Sequence, residues 1–243
     1  MKEEYNRDTN PYPSFGKKYN SERAIISLTS WKKRIGACSK TIFSLLRNCP
    51  GFHIVLVLSE EEFPGMLDEL PEDIKLLVEH KLIELLFVYY NYRSFKKVLF
   101  TMNKYRDVPI ISADDDCIYT CNYAKMLYNT WTNNRNACIG FSCGYRKNGI
   151  KVLWGYAQLF PPGFSSYIDN GIMQEILKHK CIDDDDFYTA IRVKNGIDAI
   201  CLNRSMFSIV KQMPSSQHNS ISKERTWHKH DMAIYNRLLA LNI

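Results

Sequence analysis

The chain has 243 residues, 45% of them hydrophobic and 24% charged, with 32 basic side chains against 26 acidic ones for a net charge of +6. That profile belongs to a globular protein with enough apolar material for one large domain or two small ones, and no apolar run approaches the roughly 18 residues of a membrane span. The basic excess suits an anionic small molecule or an anionic membrane surface, but it is diffuse, and without a basic helix, zinc finger or RNP-like aromatic pattern it excludes a nucleic-acid binder.

Residues 1–20 read as a polar, basic arm without the apolar core of a signal peptide, and the expected location is the cytoplasm. A reducing compartment keeps the eight cysteines as thiols. Cys117, Cys121, Cys138 and Cys143 cluster with C-x3-C-x16-C-x4-C spacing. Without tight C-x2-C pairs they read as buried thiols rather than a zinc knuckle.

In chain order, "AIISLTS" (24–30) is a β-branched run that predicts a buried strand. Cys38, Ile42, Leu45 and Leu46 recur at helical spacing, and "NCPG" ends that helix. "HIVLVLS" (53–59) predicts the second strand, "EEFPGMLDELP" a short helix or turn, and "LIELLFVYY" (82–90) the third strand. A helix follows over 95–105, then a fourth strand, "PIISA" (109–113). Strands alternating with helices predict a parallel α/β sheet covered on both faces.

Beyond residue 122 the pattern becomes irregular. A helix over 123–132 precedes the short strand-like pieces "CIGFSC", "IKVLW" and "YAQLF". "PPGFSSYIDNG" reads as a loop, "DFYTAIRVKNGI" as a helix closed by Gly196, and "DAICL" as a strand; an amphipathic helix with Tyr235, Leu238 and Leu239 ends the chain. The expected organisation is one domain over 21–243, with a nucleotide half (21–121) and an acceptor half (122–243).

Two acidic clusters carry the chemistry. Asp114, Asp115 and Asp116 follow the fourth strand, at the carboxyl edge where open α/β sheets bind ligands. Three adjacent carboxylates raise one another's pKa unless a cation holds them, and hard divalent ions such as Mg²⁺ or Mn²⁺ suit that oxygen-rich setting. Asp183–Asp186 precede a helix, whose dipole accounts for one or two of them; a further one is available as a general base. Basic partners stand upstream: Thr29, Ser30 and Arg34 in "TSWKKRI", then Arg93, Lys96 and Lys97 in "YRSFKK", residue types that recognise phosphate. No P-loop and no GxGxxG is present.

Taken in order, "IISLTSWKKRI", "FKK", "ISADDDCIY", "LWGYAQLFPPG" and "DDDDFYTAIRVKNGI" resemble bacterial glycosyltransferases of the GT-A fold, nearest to those that build capsular polysaccharide and lipopolysaccharide. The resemblance covers about residues 22–203. It implies a Rossmann-like, mostly parallel sheet flanked by helices, with an irregular acceptor-side second half. "DDD" matches the family's DxD motif, so Asp114 and Asp116 would hold Mn²⁺ or Mg²⁺ and Asp114 and Asp115 the donor, a nucleotide-diphosphate sugar with UDP favoured. Trp154, Gly155 and Tyr156 would line the acceptor side, and Asp185 or Asp186 would be the catalytic carboxylate. Several members add a C-terminal histidine to the metal, for which "WHKHD" offers His228 and His230. The implied acceptor is a glycan or lipid-linked, with peripheral contact to the inner face of the cell membrane.

Glycosyl transfer passes through an oxocarbenium-like state, so a departing diphosphate needs cations, Arg34 or Lys97 among them, and an inverting enzyme needs a base. A sugar-phosphate nucleotidyltransferase is the nearest rival, although "SLTSWKKRIGAC" is poor in the glycines its phosphate loop would use. An aspartyl-phosphate hydrolase would carry its acidic pair after the first strand. A non-catalytic carbohydrate-binding protein would not need two intact acidic clusters.

Overall fold

Four apolar runs in the first half become strands because each is buried on both faces. The computed structural model describes residues 24–146, 149–178 and 183–213. Strand β1 (Ile25–Thr29) leads to helix α1 (Ile35–Asn48) and β2 (His53–Ser59); α2 (Glu72–Glu79), β3 (Glu84–Val88), α3 (Leu99–Lys104) and β4 (Ile110–Ser112) follow. After β5 (Cys117–Tyr119) and α4 (Tyr123–Thr132) come β6 (Ala137–Gly140), β7 (Cys143–Tyr145), β8 (Lys151–Leu153) and β9 (Gln158–Phe160). Helices α5 (Asn170–Lys178) and α6 (Asp184–Lys194), then β10 (Asp198–Cys201) and β11 (Val210–Gln212), complete the described elements.

The main sheet has seven strands in the order β10-β6-β9-β4-β1-β2-β3. All neighbours are parallel except β9, which runs antiparallel between β4 and β6. The expected mostly parallel α/β sheet flanked by helices is therefore what the chain forms. Side chains alternate across it, as strand geometry requires. Ile26, Leu28, Leu56, Ile111 and Ile139 pack on the face covered by α1, α2 and α4. Ile25, Val55, Val57 and Ile110 face the opposite layer, with Leu99 of α3 and Phe187 and Tyr188 of α6. Burying each such side chain contributes about 1.5–3 kcal/mol, and in α1 the stripe Ile35, Cys38, Ile42 and Leu45 supplies the matching helical face.

Three differences from the expected elements have local causes. The second half is not merely irregular: β6, β9 and β10 extend the main sheet, and each is only three or four residues long, too short for a periodic pattern. Helices α2 and α5 run on from the ends of "EEFPGMLDELP" and "PPGFSSYIDNG", in stretches to which the sequence assigned no element; α2 is an eight-residue helix after Pro71, with Ile74, Leu77 and Val78 on its buried face. The helix expected over 95–105 is split into a 3-10 turn, Arg93–Lys97, and α3. Arg93 has a φ of +51°, a left-handed conformation that sets the turn's entry. The C-terminal helix and the N-terminal arm lie outside the described residues. No described helix is long and apolar enough to cross a membrane.

At the opposite edge from the strands' carboxyl ends, Glu84 is buried and its carboxylate accepts from His53 Nε2 at 2.8 Å, Lys104 Nζ at 2.8 Å and Tyr105 Oη at 2.5 Å. Burial alone would raise its pKa, but these donors outweigh it and hold the carboxyl at about 2. A carboxyl depressed in the folded state stabilises it above the unfolded pKa, near 4.5, and loses that contribution as pH falls toward 2. Glu84→Gln should therefore cost about 2–3 kcal/mol at pH 7. The deficit in urea titrations should shrink steadily below pH 4.

Candidate active site

Because β1, β2, β3 and β4 are parallel, their carboxyl ends share one edge, and the polar residues that follow them meet there. The turn after β4 carries Asp114–Asp116, each with a different surrounding. Asp115 is the interior one, 2% exposed: Ser30 Oγ donates to its Oδ2 at 2.5 Å and Arg34 pairs with its Oδ1. Burial pushes its pKa up to about 6, opposed by Arg34 and Ser30. Asp116 accepts from Arg34 at 2.9 Å and takes the Cys117 thiol at 3.6 Å. Burial and Asp114 raise its pKa while Arg34 lowers it. Thr41 Oγ1 of α1 bonds the carbonyls of Asp115 and Cys117, at 2.9 and 2.8 Å, which fixes the backbone of the turn.

Asp114 alone of the three lines the cleft. Its N–H donates to Tyr119 Oη at 2.9 Å, and that hydroxyl donates to the Tyr156 carbonyl at 2.7 Å. Tyr119 thereby spaces Asp114 from the opposite wall; the residue is fully buried, and the sequence reading assigned it no role. Lys97 Nζ lies 2.7 Å from Asp114 Oδ1, 3.4 Å from Asp184 Oδ2 and 3.5 Å from the Gly155 carbonyl oxygen. Burial would lower the Lys97 pKa, but Asp114, Asp184 and Asp185 outweigh it and hold the ammonium well above its usual range.

The second acidic cluster faces the first because α6 begins at the same edge. Asp183 caps it, accepting from Asp185 N at 2.9 Å, and the helix closes at Gly196, with φ +63°, before β10 returns alongside β6. Burial, Asp184 and Asp183 push the Asp185 carboxyl well above the usual range, while Lys97 pulls it down. Asp186 points elsewhere: Arg146 contacts its Oδ1 through Nε at 2.7 Å and a terminal nitrogen at 2.6 Å, and it is absent from the cleft wall. The cleft has a volume of about 460 Å³, with Lys97, Asp114, Ser142, Trp154–Tyr156, Asp183–Asp185 and Met206 around it.

Of the expected donor residues, Lys97 and Asp114 reach this cleft and the others do not line it. Lys96 is buried and donates to Glu62 at 2.7 Å and to Asn91 and Ser59; Thr29 Oγ1 donates to the Val57 carbonyl at 2.6 Å. Arg93 is half-buried, with its N–H on Asn91 Oδ1 at 2.9 Å. Ser30 and Arg34 are committed to Asp115 and Asp116, although Arg34 Nε, Trp31 Nε1 and Ser94 Oγ are buried with no hydrogen-bond partner among the described residues. Those groups follow β1 and β3, at the carboxyl edge of the sheet. His228 and His230 lie outside the described residues.

Gly155 is required by close approach. A Cβ there would stand 2.5 Å from Asp185 Oδ1 and 3.1 Å from Lys97 Nζ. Gly155→Ala should leave the thermal midpoint within a few degrees while displacing both charged groups. The expected readout is at least a tenfold loss of ligand affinity in the cleft by calorimetry.

The donor set also suits a hard cation. Asp183, Asp184 and Asp185 each offer an oxygen within 4.8 Å of the others, and among the described residues of the cleft wall they and Asp114 set four carboxylates against the ammonium of Lys97. Oxygen ligands in that excess fit Mg²⁺ or Mn²⁺.

No protein-family model matches the chain, and no curated protein matches it in sequence. Solved structures share its fold. A Bacillus anthracis protein assigned as a glucose-1-phosphate thymidylyltransferase, in complex with a sucrose, matches with a TM-score of 0.52 at 10% identity, over 85% of this chain and 96% of that one. A 4-diphosphocytidyl-2C-methyl-D-erythritol synthase gives 0.49 at 12%, over 81% and 96%. The glycosyltransferase GlyE of Streptococcus pneumoniae gives 0.43 at 14%, over 74% of this chain and 45% of that one. At these identities the likeness is one of fold: the chain has the mostly parallel α/β architecture of the first of these structures.

Proposed function

We propose that the protein is a divalent-metal-dependent glycosyltransferase that moves a sugar from a nucleotide-diphosphate sugar, UDP-linked in the first instance, to a hydroxyl of a glycan or lipid-linked acceptor in surface-polysaccharide synthesis. The observation that carries this reading is the convergence of Asp114, Lys97 and Asp183–Asp185 opposite Trp154–Tyr156 in one cleft. A sugar needs such a wall: carboxylates and an ammonium for its hydroxyls, and an aromatic surface for its apolar face. The orphaned Trp31 Nε1, Arg34 Nε and Ser94 Oγ support a place for the nucleotide beside it.

Mn²⁺ or Mg²⁺ held by Asp183 and Asp184, two of the three carboxylates whose oxygens gather within 4.8 Å, would supply Lewis-acid stabilisation of the departing diphosphate, while Asp114 pairs with Lys97. Asp116, taken by the resemblance as a metal ligand, is here assigned instead to the ion pair with Arg34 that fixes the turn. Lys97 adds a second positive charge aimed at the leaving group. Asp185, on the cleft wall, is the base that takes the acceptor hydroxyl's proton in an inverting transfer, and Asp186 anchors α6 to Arg146.

Product analysis tests the reading. With a panel of nucleotide sugars, Mn²⁺ and simple glycan acceptors, the expected product is a nucleoside diphosphate. Release of pyrophosphate from a nucleoside triphosphate plus a sugar phosphate, with no reaction of any nucleotide sugar, would replace it with sugar-phosphate nucleotidyl transfer.

A further inference from the structure

Cys143 at the start of β7 and Cys201 at the end of β10 are distant in sequence and belong to different sheets, yet both side chains reach one residue, Asn203. Cys143 Sγ lies 3.7 Å from Asn203 Oδ1, and the Asn203 N–H donates to Cys201 Sγ at 3.3 Å. Asn203 sits at φ +52°, a left-handed turn directly after β10. The surrounding backbone is fixed, because Leu202 N and Arg204 N donate to Gly140 and Phe141 carbonyls at 2.9 and 3.1 Å. Both thiols are partly exposed, whereas Cys38, Cys49, Cys117 and Cys138 are buried. Cys121 is partly exposed too, but what it offers Cys49 is its backbone carbonyl, not its sulfur.

We infer that Cys143 and Cys201 form a dithiol modification site that reacts with small-molecule disulfides and closes to an intramolecular bond. In the first step one cysteine thiolate attacks a sulfur of the reagent disulfide, breaking its S–S bond and releasing one thiol. The second cysteine thiolate then attacks the protein-bound sulfur of that mixed disulfide, forms the Cys143–Cys201 bond and expels the other thiol. The protein loses two electrons and two protons, which leave on the two thiols released. Closure would staple the β7–β8 hairpin to the edge strand of the main sheet. Ser142, beside Cys143, lines the cleft and hydrogen-bonds Tyr156 Oη at 2.5 Å, so the staple lies directly behind the cleft rim. The inference does not depend on what the cleft binds.

The test uses the full chain with oxidised glutathione, followed by alkylation of remaining thiols, digestion and mass spectrometry. The expected result is one linked peptide pair joining Cys143 to Cys201, lost on reduction. Cys201→Ser should halt at glutathione on Cys143, and Cys143→Ser at glutathione on Cys201. Phenylarsine oxide, which bridges neighbouring thiols, should bind the reduced protein one to one and lose that binding in either variant. Stable glutathione adducts on both cysteines of the native sequence, or arsenical binding that survives Cys143→Ser, would overturn the inference.

Discussion

Asp185→Asn is expected to lower sugar transfer about a thousandfold, the scale of a lost general base, while donor affinity stays within a few-fold. The neighbouring Asp186→Asn should behave differently. Asp186 is buried and held by the partly exposed Arg146, so its loss should cost about 1–3 kcal/mol of stability and leave turnover within several-fold of the native rate. The contrast follows from helix geometry: successive residues project about 100° apart around an α-helix of 3.6 residues per turn. Asp185 consequently faces Lys97 and Gly155, and Asp186 faces Arg146. Calorimetry with the donor and initial-rate measurements on both variants decide it. Normal turnover in Asp185→Asn would remove that carboxylate from the mechanism; joint loss of turnover and donor binding would place it in the donor site.

Lys97→Met should be the most damaging single change in the cleft. The ammonium pairs with Asp114 and Asp184 and lies beside Asp185, so its removal leaves those carboxylates facing one another without a counter-charge. Breaking a buried ion pair from one side costs about 3–5 kcal/mol; the cleft's partial access to water places this case at the lower end. The pH dependence has a definite sign. Burial, Asp184 and Asp183 already raise the Asp185 carboxyl and Lys97 opposes them; without Lys97 it rises further, so the folded state binds more protons than the unfolded one and stability falls as pH rises. The deficit against the native sequence should be largest near pH 8 and smaller at pH 5, as read from urea midpoints. A deficit independent of pH would show that Lys97 acts through packing alone.

Much of this site was legible in the residues, and the failures are local. "PIISA" followed by three aspartates announced a strand and a charged carboxyl edge, because only apolar residues fill a strand covered on both faces. "WGY" was read from the resemblance as lining the acceptor side; the structure puts it on the wall of the cleft, just before the antiparallel β9. What sequence could not separate were adjacent residues of one type. Lys96 and Lys97 differ only in where a 3-10 turn entered through a left-handed Arg93 sends them, one to Glu62 and one to Asp114. Asp114, Asp115 and Asp116 likewise divide among cleft, interior and Arg34 according to a turn whose backbone is set by Thr41, a residue remote in sequence. Tyr119 had no distinguishing signal, since an aromatic residue after a strand is ordinarily core. That Cys143 and Cys201 both contact Asn203 was hidden for the same reason: it is made by the turn after β10, not by spacing.

The central claim is that the cleft between Asp114 and Asp183–Asp185 takes a nucleotide sugar together with a divalent ion. Thermal-shift titration with UDP-, GDP- and CMP-sugars, with and without Mn²⁺, tests it most directly. One nucleotide sugar should raise the melting temperature with Mn²⁺ and much less without it, by RT ln(1 + [L]/Kd) in free energy, about 2.7 kcal/mol at a hundredfold excess over Kd. No metal-dependent stabilisation by any nucleotide sugar, alongside stabilisation by a nucleoside triphosphate with a sugar phosphate, would contradict it.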